Sequence, residues 1–579
     1  MSGTGDSASS PRSRSVVVQA LARLRSLAPR RADFAQMRVA PRKDVMAGIT
    51  VGVVALPLAL GFGITSGLGA GAGLITAIVA GTLAALFGGS NVQVSGPTGA
   101  MTVVLVPIVA AYGANGVLVV GLMAGVLLIG MALAGIGRYV KFIPLPVIEG
   151  FTIGIAFIIA LQQVPAALGV AADGEHVVGV AVGAVAEWVS NPDWQAVLMT
   201  AAVIAVILGG VRLRPGVPIA LIAVIGATAF AQLLDLSLST IGALPSHFPA
   251  PAMPDLAWGD IRVLAVPALA VAALAALESL LSATVADAMS VSDRHDPDRE
   301  LFGQGIANIA SPLFGGIPAT AAIARTAVNV RTGATSRLAA LVHAFVLLMI
   351  VLLLSGAVSL IPLAALAGVL IATAIRMVEV SSVRVLLRSS RSDTAVLIVT
   401  FTATVALDLA TAVILGIVAA GGLALRQMAK TATLEEVPLD ALALDGSDHH
   451  SEEERALLDT HVVAYRFEGP LFFGGAHMAL LELTEISDIR VVILRLSHVT
   501  TLDATGAAVL ADTIRSLERR DVAVLISGLP LRYTAALSAT GVYPQLVERG
   551  HVFDHTPEAI DHAKLHVTRD RHHGVDGVH

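Results

Sequence analysis

Apolar stretches close to twenty residues long recur from about residue 44 to residue 428, and a chain can hold so many of them only if they sit in a bilayer. They can be drawn at 44–66, 70–88, 97–113, 116–137, 143–168, 194–211, 216–236, 262–286, 299–314, 321–332, 337–360, 364–380, 392–406 and 409–428. Hydrocarbon offers backbone N–H and C=O groups no partner, so these spans must be helical. Charged residues make up only 14% of the chain and mean hydropathy is +0.80, too apolar a balance for a soluble protein of 579 residues. The expected fold class is an α-helical polytopic membrane protein of about fourteen spans, several too short to cross alone.

Charge placement orients the array. With the N-terminus inside, inside loops receive Arg138, Lys141, Arg212, Arg214, Arg294, Arg299, Arg331, Arg337, Arg384, Arg388, Arg391, Arg426 and Lys430. Outside loops receive mainly Asp173, Glu175, Glu187, Asp193, Asp255, Asp260 and Asp408, with Arg262 at a boundary. That positive-inside bias supports an even count of spans in the cytoplasmic (inner) membrane, with both termini cytoplasmic. The basic segment 1–42 is followed by no short apolar core with a small-residue cleavage site, so it reads as a cytoplasmic arm lying near anionic lipid. A net charge of −6 gives no sign of a nucleic-acid partner, and the absence of cysteine excludes disulfides and thiolate metal sites.

Two interruptions break the apolar pattern at corresponding places. The third span opens at Ser95-Gly96-Pro97-Thr98-Gly99, and the tenth opens at Gly315-Gly316-Ile317-Pro318-Ala319-Thr320. In each, Gly permits an unusual backbone, Pro suits a first turn, and a short apolar run carries the helix on. Seven spans separate them, and an odd number of crossings inverts the second unit relative to the first. A helix that starts at membrane depth aims free N–H groups and the positive end of its dipole at a cavity, which favours an anion. Matched breaks in two halves point to a transporter site, although either break alone could be a Pro-kinked helix.

One carboxylate stands within the eighth span: Glu278, with Ser282 four residues on and so on the same helical face. An acidic residue there costs about 2.5–3.5 kcal/mol on insertion scales, so a functional role is expected, either proton uptake and release or cation binding. The other reading is a neutral Glu bonded to a carbonyl freed by a broken helix. Arg325, five residues past Thr320, could add positive potential beneath the helix starts, pair with Glu278, or snorkel to the cytoplasmic surface beside Arg331. Asp287, Asp293 and Glu379 fall near inside ends and read as solvated; Glu149 and Asp408 are weaker candidates than Glu278. The glycine-rich Gly67–Gly73 turn follows no strand and fits close helix packing better than nucleotide binding. No H-E-x-x-H, G-x-S-x-G or Walker A lysine occurs, so enzyme chemistry, cofactors and ATP-driven transport are not expected.

Beyond the membrane region, 43–430, the composition changes. Residues 431–458 read as a polar linker, and 459–568 as a small α/β domain with strands at 462–467, 491–496 and 522–526 and helices at 476–486, 504–519 and 531–540. The end, 569–579, with His572, His573 and His579, reads as a disordered tail rather than a metal tract.

These residues together resemble the sulfate permease (SulP) family of anion transporters. The resemblance rests on Ala55-Leu56-Pro57-Leu58-Ala59-Leu60, Ser95–Gly99, Pro146–Gly154, Glu278–Ser282 and Gly316–Thr326, and the soluble end resembles a STAS domain at Leu502-Asp503-Ala504-Thr505-Gly506-Ala507. It implies seven-plus-seven inverted repeats, a core domain moving against a gate domain, and a homodimer. It also implies an anion held between the starts of the third and tenth helices, with Pro57, Thr98, Gly99, Ala319, Thr320, Ala321, Ala322 and Arg325 around it. Sodium-coupled bicarbonate members are similar at Glu278 and Ser282 but supply a hydroxyl near the position of Ile323, which has none; that favours coupling by protons through Glu278. Thr505 stands where anti-sigma antagonists carry a phosphorylatable Ser. The expectation is proton-coupled transport of a sulfate-, bicarbonate- or dicarboxylate-like anion by alternating access. The alternatives are a sodium-coupled transporter, an uncoupled exchanger or channel, and a membrane-anchored STAS module that binds a soluble partner.

Overall fold

The computed structural model describes residues 23, 25–172, 176–214, 217–244, 247–254, 258–290, 294–407, 409–431, 433–438, 458, 460–472 and 489–573. Asp173, Glu175, Asp255, Asp293, Asp408, the middle of the expected linker and the expected helix 476–486 lie outside those residues. The chain divides into two units, up to Val418 and from Ala419 onward.

The first unit is helical. Its main elements are α1 (Pro41–Thr65), α2 (Ala70–Phe87), the two-residue strand β1 (Ser95–Gly96), α3 (Gly99–Ala134), α4 (Leu145–Gln162), α5 (Trp194–Leu213), α6 (Ile219–Leu233), α7 (Trp258–Met289), α8 (Pro297–Leu313), β2 (Thr320–Ala321), α9 (Ile323–Arg331), α10 (Leu338–Val358), α11 (Leu363–Met377), α12 (Arg391–Ala406) and the first half of α13 (Leu409–Ala429), which runs across the division. Nine described helices are long and apolar enough to cross a membrane by themselves. Shorter ones, among them α6, α8, α9 and α12, occupy the other expected positions. The expected third and fourth spans form one hydrogen-bonded run, α3, broken at Gly113, where φ is 66° and ψ −173°. A β-carbon disfavours that left-handed backbone, so Gly113 is where the chain departs from helical geometry. A further helix, Val177–Ser190, occupies the expected outside loop before Trp194.

Polar side chains start several of these helices. Asp193 accepts from the Gln195 and Ala196 N–H groups, Asp296 from Asp298 and Arg299, and Ser390 from Ser392 and Asp393. The N-terminal arm is tied to protein: Asp33 takes two hydrogen bonds from Arg299, the shorter 2.6 Å, and Arg23 reaches Asp298 at 3.3 Å.

Helix neighbours are reciprocal between the halves. α1 packs on α10 as α7 packs on α3, α4 on α12 as α5 on α11, and α8 on α3 as α2 on α10. Pairing each span with the one seven later turns one set of contacts into the other, as two-fold related units require. Small residues allow the closest approaches. A β-carbon on Gly73 of α2 would lie 2.0 Å from the Ala59 carbonyl oxygen of α1 and 2.9 Å from Gly63.

The second unit is a five-stranded sheet in the order β3 (Thr433–Val437), β4 (Val462–Leu471), β5 (Val491–Leu502), β6 (Ala523–Ser527) and β7 (Val552–Phe553). β3 is antiparallel to β4 and the other pairs are parallel. The three expected strands are present, and residues 433–437, expected in the linker, form the edge strand β3. One face is covered by α14 (Ala504–Glu518), whose Leu510, Ile514 and Leu517 meet Val492, Leu494 and Val524. The other is covered by α15 (Thr556–His573), whose Ala559, Ile560 and Ala563 meet Val462, Ile493 and Leu525. α15 extends past the expected domain end at 568.

Gly73→Ala tests the helix contact. Helix propensity alone favours Ala over Gly by about 0.5–1 kcal/mol, whereas overpacking costs about 1–3 kcal/mol. Gly73→Ala should therefore lower the thermal midpoint of the purified protein, while Gly130→Ala, with open space around its β-carbon position, should hold or raise it.

Candidate functional site

The two interruptions meet. β1 and β2 pair antiparallel, Ser95 opposite Ala321 and Gly96 opposite Thr320, so α3 and α9 begin beside each other after two short extended segments. Neither break is a kink within a continuous helix. Extended backbone inside a helical unit leaves N–H and C=O groups that the helices cannot satisfy, and side chains from α2, α7 and α8 supply partners. Asn308 holds Ala319 from both sides, accepting from its N–H at 2.8 Å and donating to its carbonyl at 2.9 Å. Thr76 Oγ1 accepts the Ile317 N–H at 2.7 Å, Ser279 Oγ accepts the Ala321 N–H at 3.1 Å, and Thr326 Oγ1 accepts the Val94 N–H at 3.1 Å. Gln93 Nε2 donates to the Ser279 carbonyl and Gln304 Nε2 to Ser95 Oγ.

Glu278 of α7 joins both helix starts. Its Oε2 accepts from Thr98 Oγ1 at 2.8 Å and from Thr320 Oγ1 at 2.6 Å, and the two hydroxyl oxygens are 3.1 Å apart. Thr98 is the N-cap of α3, where its side chain accepts the Met101 N–H, and Thr320 lies in β2. Both threonines are buried, whereas Glu278 keeps partial exposure. Two other buried carboxylates differ in kind. Asp44 is held by the Thr335 and Ser336 N–H groups and by both of their hydroxyls, and Glu300 by the Gly89 and Ser90 N–H groups and the Gln304 amide. Glu278 has hydroxyl partners alone among the described residues, and a hydroxyl can donate or accept.

Arg325 resolves the three sequence readings differently. It is 1% exposed, so it does not snorkel, and no ion pair joins it to Glu278 among the described residues. Its Nη2 donates to the Pro97 carbonyl at 2.6 Å, fastening α9 to the segment before α3, and its Nη1 is buried without a hydrogen-bond partner. A β-carbon at residue 96 would stand 2.7 Å from that Nη1, so glycine is needed there to admit the guanidinium. Ala322 is the N-cap of α9 and offers no side-chain acceptor, and the next residue, Ile323, is 36% exposed. The start of α9 is thus uncapped, open on one side, and one turn from a buried cation.

The remaining expected residues divide. Gly99 opens α3 and is buried against Ile159 and Phe62; Ala319 and Ala321 are buried beside Thr320. Ser282 shares a helical face with Glu278 but bonds Thr326 at 3.1 Å. Pro57 is buried within α1, which packs against α9, and lies outside the hydrogen-bonded cluster. Asp287, expected to be solvated, is partly buried and accepts from the His295 N–H at 3.2 Å. Glu149 is buried and accepts from Ser382 at 2.7 Å. Thr505 belongs to the second unit, exposed in the first turn of α14 behind the N-cap Asp503. Thr76, Ser279, Gln304, Asn308 and Thr326 were not singled out from sequence; Gln304 and Asn308, four apart in an expected span, were the available signal.

The chain resembles known proteins along most of its length. Residues 42–400 match the sulfate permease family model and residues 456–559 match the STAS domain model. The putative sulfate transporter YvdB of Bacillus subtilis is 36% identical over 530 residues, covering 89% of this chain and 97% of that protein. The bicarbonate transporter BicA of Synechocystis is 31% identical over 533 residues, covering 89% and 91%. Among solved structures, the transmembrane domain of a cyanobacterium bicarbonate transporter BicA aligns with a TM-score of 0.58 at 32% identity, over 66% of this chain and 97% of that one. The murine Slc26a9 anion transporter in the inward-facing state shares the fold at a TM-score of 0.76 and 17% identity, over 97% and 96%.

Asn308→Leu tests the support of the second interruption. It leaves the Ala319 N–H and carbonyl without partners at about 1–3 kcal/mol each, so the thermal midpoint in detergent should drop well below that of the native protein. Gln304→Leu, which removes side-chain bonds but no backbone partner, should lower it less.

Proposed function

The chain belongs to the sulfate permease family, and from that premise we propose that it is a proton-coupled transporter of small anions, with Glu278 as the proton site and the start of α9 as the anion site. The observation that carries the reading is the pair of hydroxyls, one from each helix start, converging on a single carboxylate. While Glu278 is ionised, both hydroxyls donate to it, and its charge offsets that of Arg325. Protonation releases the two donors and leaves Arg325 as uncompensated positive charge beside the uncapped first turn of α9. Proton and anion then each favour binding of the other, since coupling between two sites is reciprocal. Thr98, Gly99 and Thr320–Ala322 would line the anion, with the backbone N–H groups of α9 and the Arg325 charge supplying the attraction; Pro57 and Ala319 shape the wall. Ser282, bonded to Thr326, acts by holding α7 against α9. Alternating access across the cytoplasmic membrane, with both termini inside, a homodimeric assembly and a regulatory role for Thr505 in the STAS domain complete the reading.

Sodium coupling is the second reading. The oxygens of Glu278, Thr98 and Thr320 cluster within hydrogen-bonding range, and hard cations prefer such ligands. Against it, Ile323 offers no side-chain oxygen at the neighbouring position.

The decisive experiment uses proteoliposomes with an internal pH dye and a panel of sulfate, bicarbonate and dicarboxylate. The native protein should accumulate an anion uphill on an inward proton gradient, without sodium, and bind it more tightly as pH falls. Glu278→Gln, held neutral, should retain anion binding, lose its pH dependence, and abolish proton-driven accumulation. Anion-driven proton uptake that persists in Glu278→Gln would remove the role given to this residue, and a strict sodium requirement in the native protein would select the second reading.

A further inference from the structure

We propose that His551, His562 and His566, all in the C-terminal unit, form a binding site for a divalent transition-metal ion of the zinc, nickel or copper class. His562 and His566 are four residues apart on α15 and so share one face of that helix, and His551 lies just before β7. The three rings are mutually adjacent, with centroids 5.1–5.6 Å apart, and each offers one nitrogen such that all three nitrogens lie within 4.8 Å of one another. A metal with bonds of about 2.0–2.1 Å to imidazole requires nitrogens about 3.4 Å apart, a closure of little more than 1 Å that side-chain rotation supplies.

The supports are fixed in advance. The His551 N–H donates to the Leu546 carbonyl at 2.8 Å and its carbonyl accepts from Ile526 at 2.9 Å, so its Cβ is held by the sheet. α15 is seated on the other side by Ala559, Ile560, Ala563 and Val567. A second, independent observation points to a ligand: His551 is 8% exposed, yet its Nδ1 is buried with no hydrogen-bond partner. Buried polar atoms left that way call for an occupant, and an imidazole nitrogen among imidazoles suits a metal. His562 and His566 are partly exposed, which provides an entry path and leaves room for water as a further ligand. Three nitrogen donors without carboxylate oxygen select transition metals over calcium or magnesium. Bound there, the ion would clamp α15 to the β6–β7 end of the sheet.

The test uses the full-length protein in detergent, prepared without added histidines, stripped with EDTA and titrated with cobalt(II) and then zinc(II). One equivalent of cobalt should give visible d–d absorption, one equivalent of zinc should displace it, and zinc should raise the thermal midpoint of the C-terminal unit. His562→Gln and His566→Gln, both partly exposed and so tolerated by the fold, should each weaken binding by about tenfold or more and remove the midpoint shift. A chain lacking residues 571–579 should bind as the native protein does. The proposal is overturned if either single variant binds like the native protein, if removing the tail histidines abolishes binding, or if no equivalent binds more tightly than about 10⁻⁵ M.

Discussion

Backbone that is not helical has to find its hydrogen bonds within the protein at membrane depth, and much of the first unit is arranged around that demand. Two short extended segments answer part of it by pairing with each other. Polar side chains on three surrounding helices answer most of the rest, some reaching backbone far away in sequence, as Thr76 does at Ile317 and Ser279 at Ala321. These side chains are the condition for having two helix starts inside the protein at all, because an unsatisfied group there costs several kcal/mol.

On that scaffold the electrostatics are sparse. One acid and one guanidinium stand near each other without direct contact, each held by groups from the opposite half: Glu278 by Thr98, Arg325 by the Pro97 carbonyl. Carboxylates elsewhere in the unit, such as Asp44 and Glu300, take backbone N–H donors in addition to side-chain ones. The contrast lies in the backbone donors, which Glu278 lacks among the described residues.

Much of this was legible in the order of residues. Repeated apolar runs gave the fold class, the Gly-Pro-Thr and Gly-Ile-Pro-Ala-Thr breaks marked the helix starts, and a lone Glu in an apolar span marked the carboxylate that bonds both. Alternating periods marked three strands of the STAS domain. What sequence did not display is what needs three dimensions. Asn308 looks like one more polar residue in a short span until Ala319 is folded against it. Arg325 admitted three readings because its partner, the Pro97 carbonyl, is a main-chain atom with no signature of its own. Residues 433–437 carry two charges, Glu435 and Glu436, that interrupt any apolar alternation and match the polar composition of a linker; on an edge strand those charges are tolerated, and Glu435 meets Arg466 across the pair at 2.6 Å.

The antiparallel contact between residues 95–96 and 320–321, reinforced by the guanidinium of Arg325, joins the N-terminal half of the helical unit to the C-terminal half at its middle. A seam of that kind resists shear, because sliding one strand by a residue would exchange every partner along it. Under the proposed transport reading, a movement that opened the site first to one side of the membrane and then to the other would carry both helix starts together. The donors facing an anion would keep their spacing throughout the journey, and the change of access would come from the walls around them.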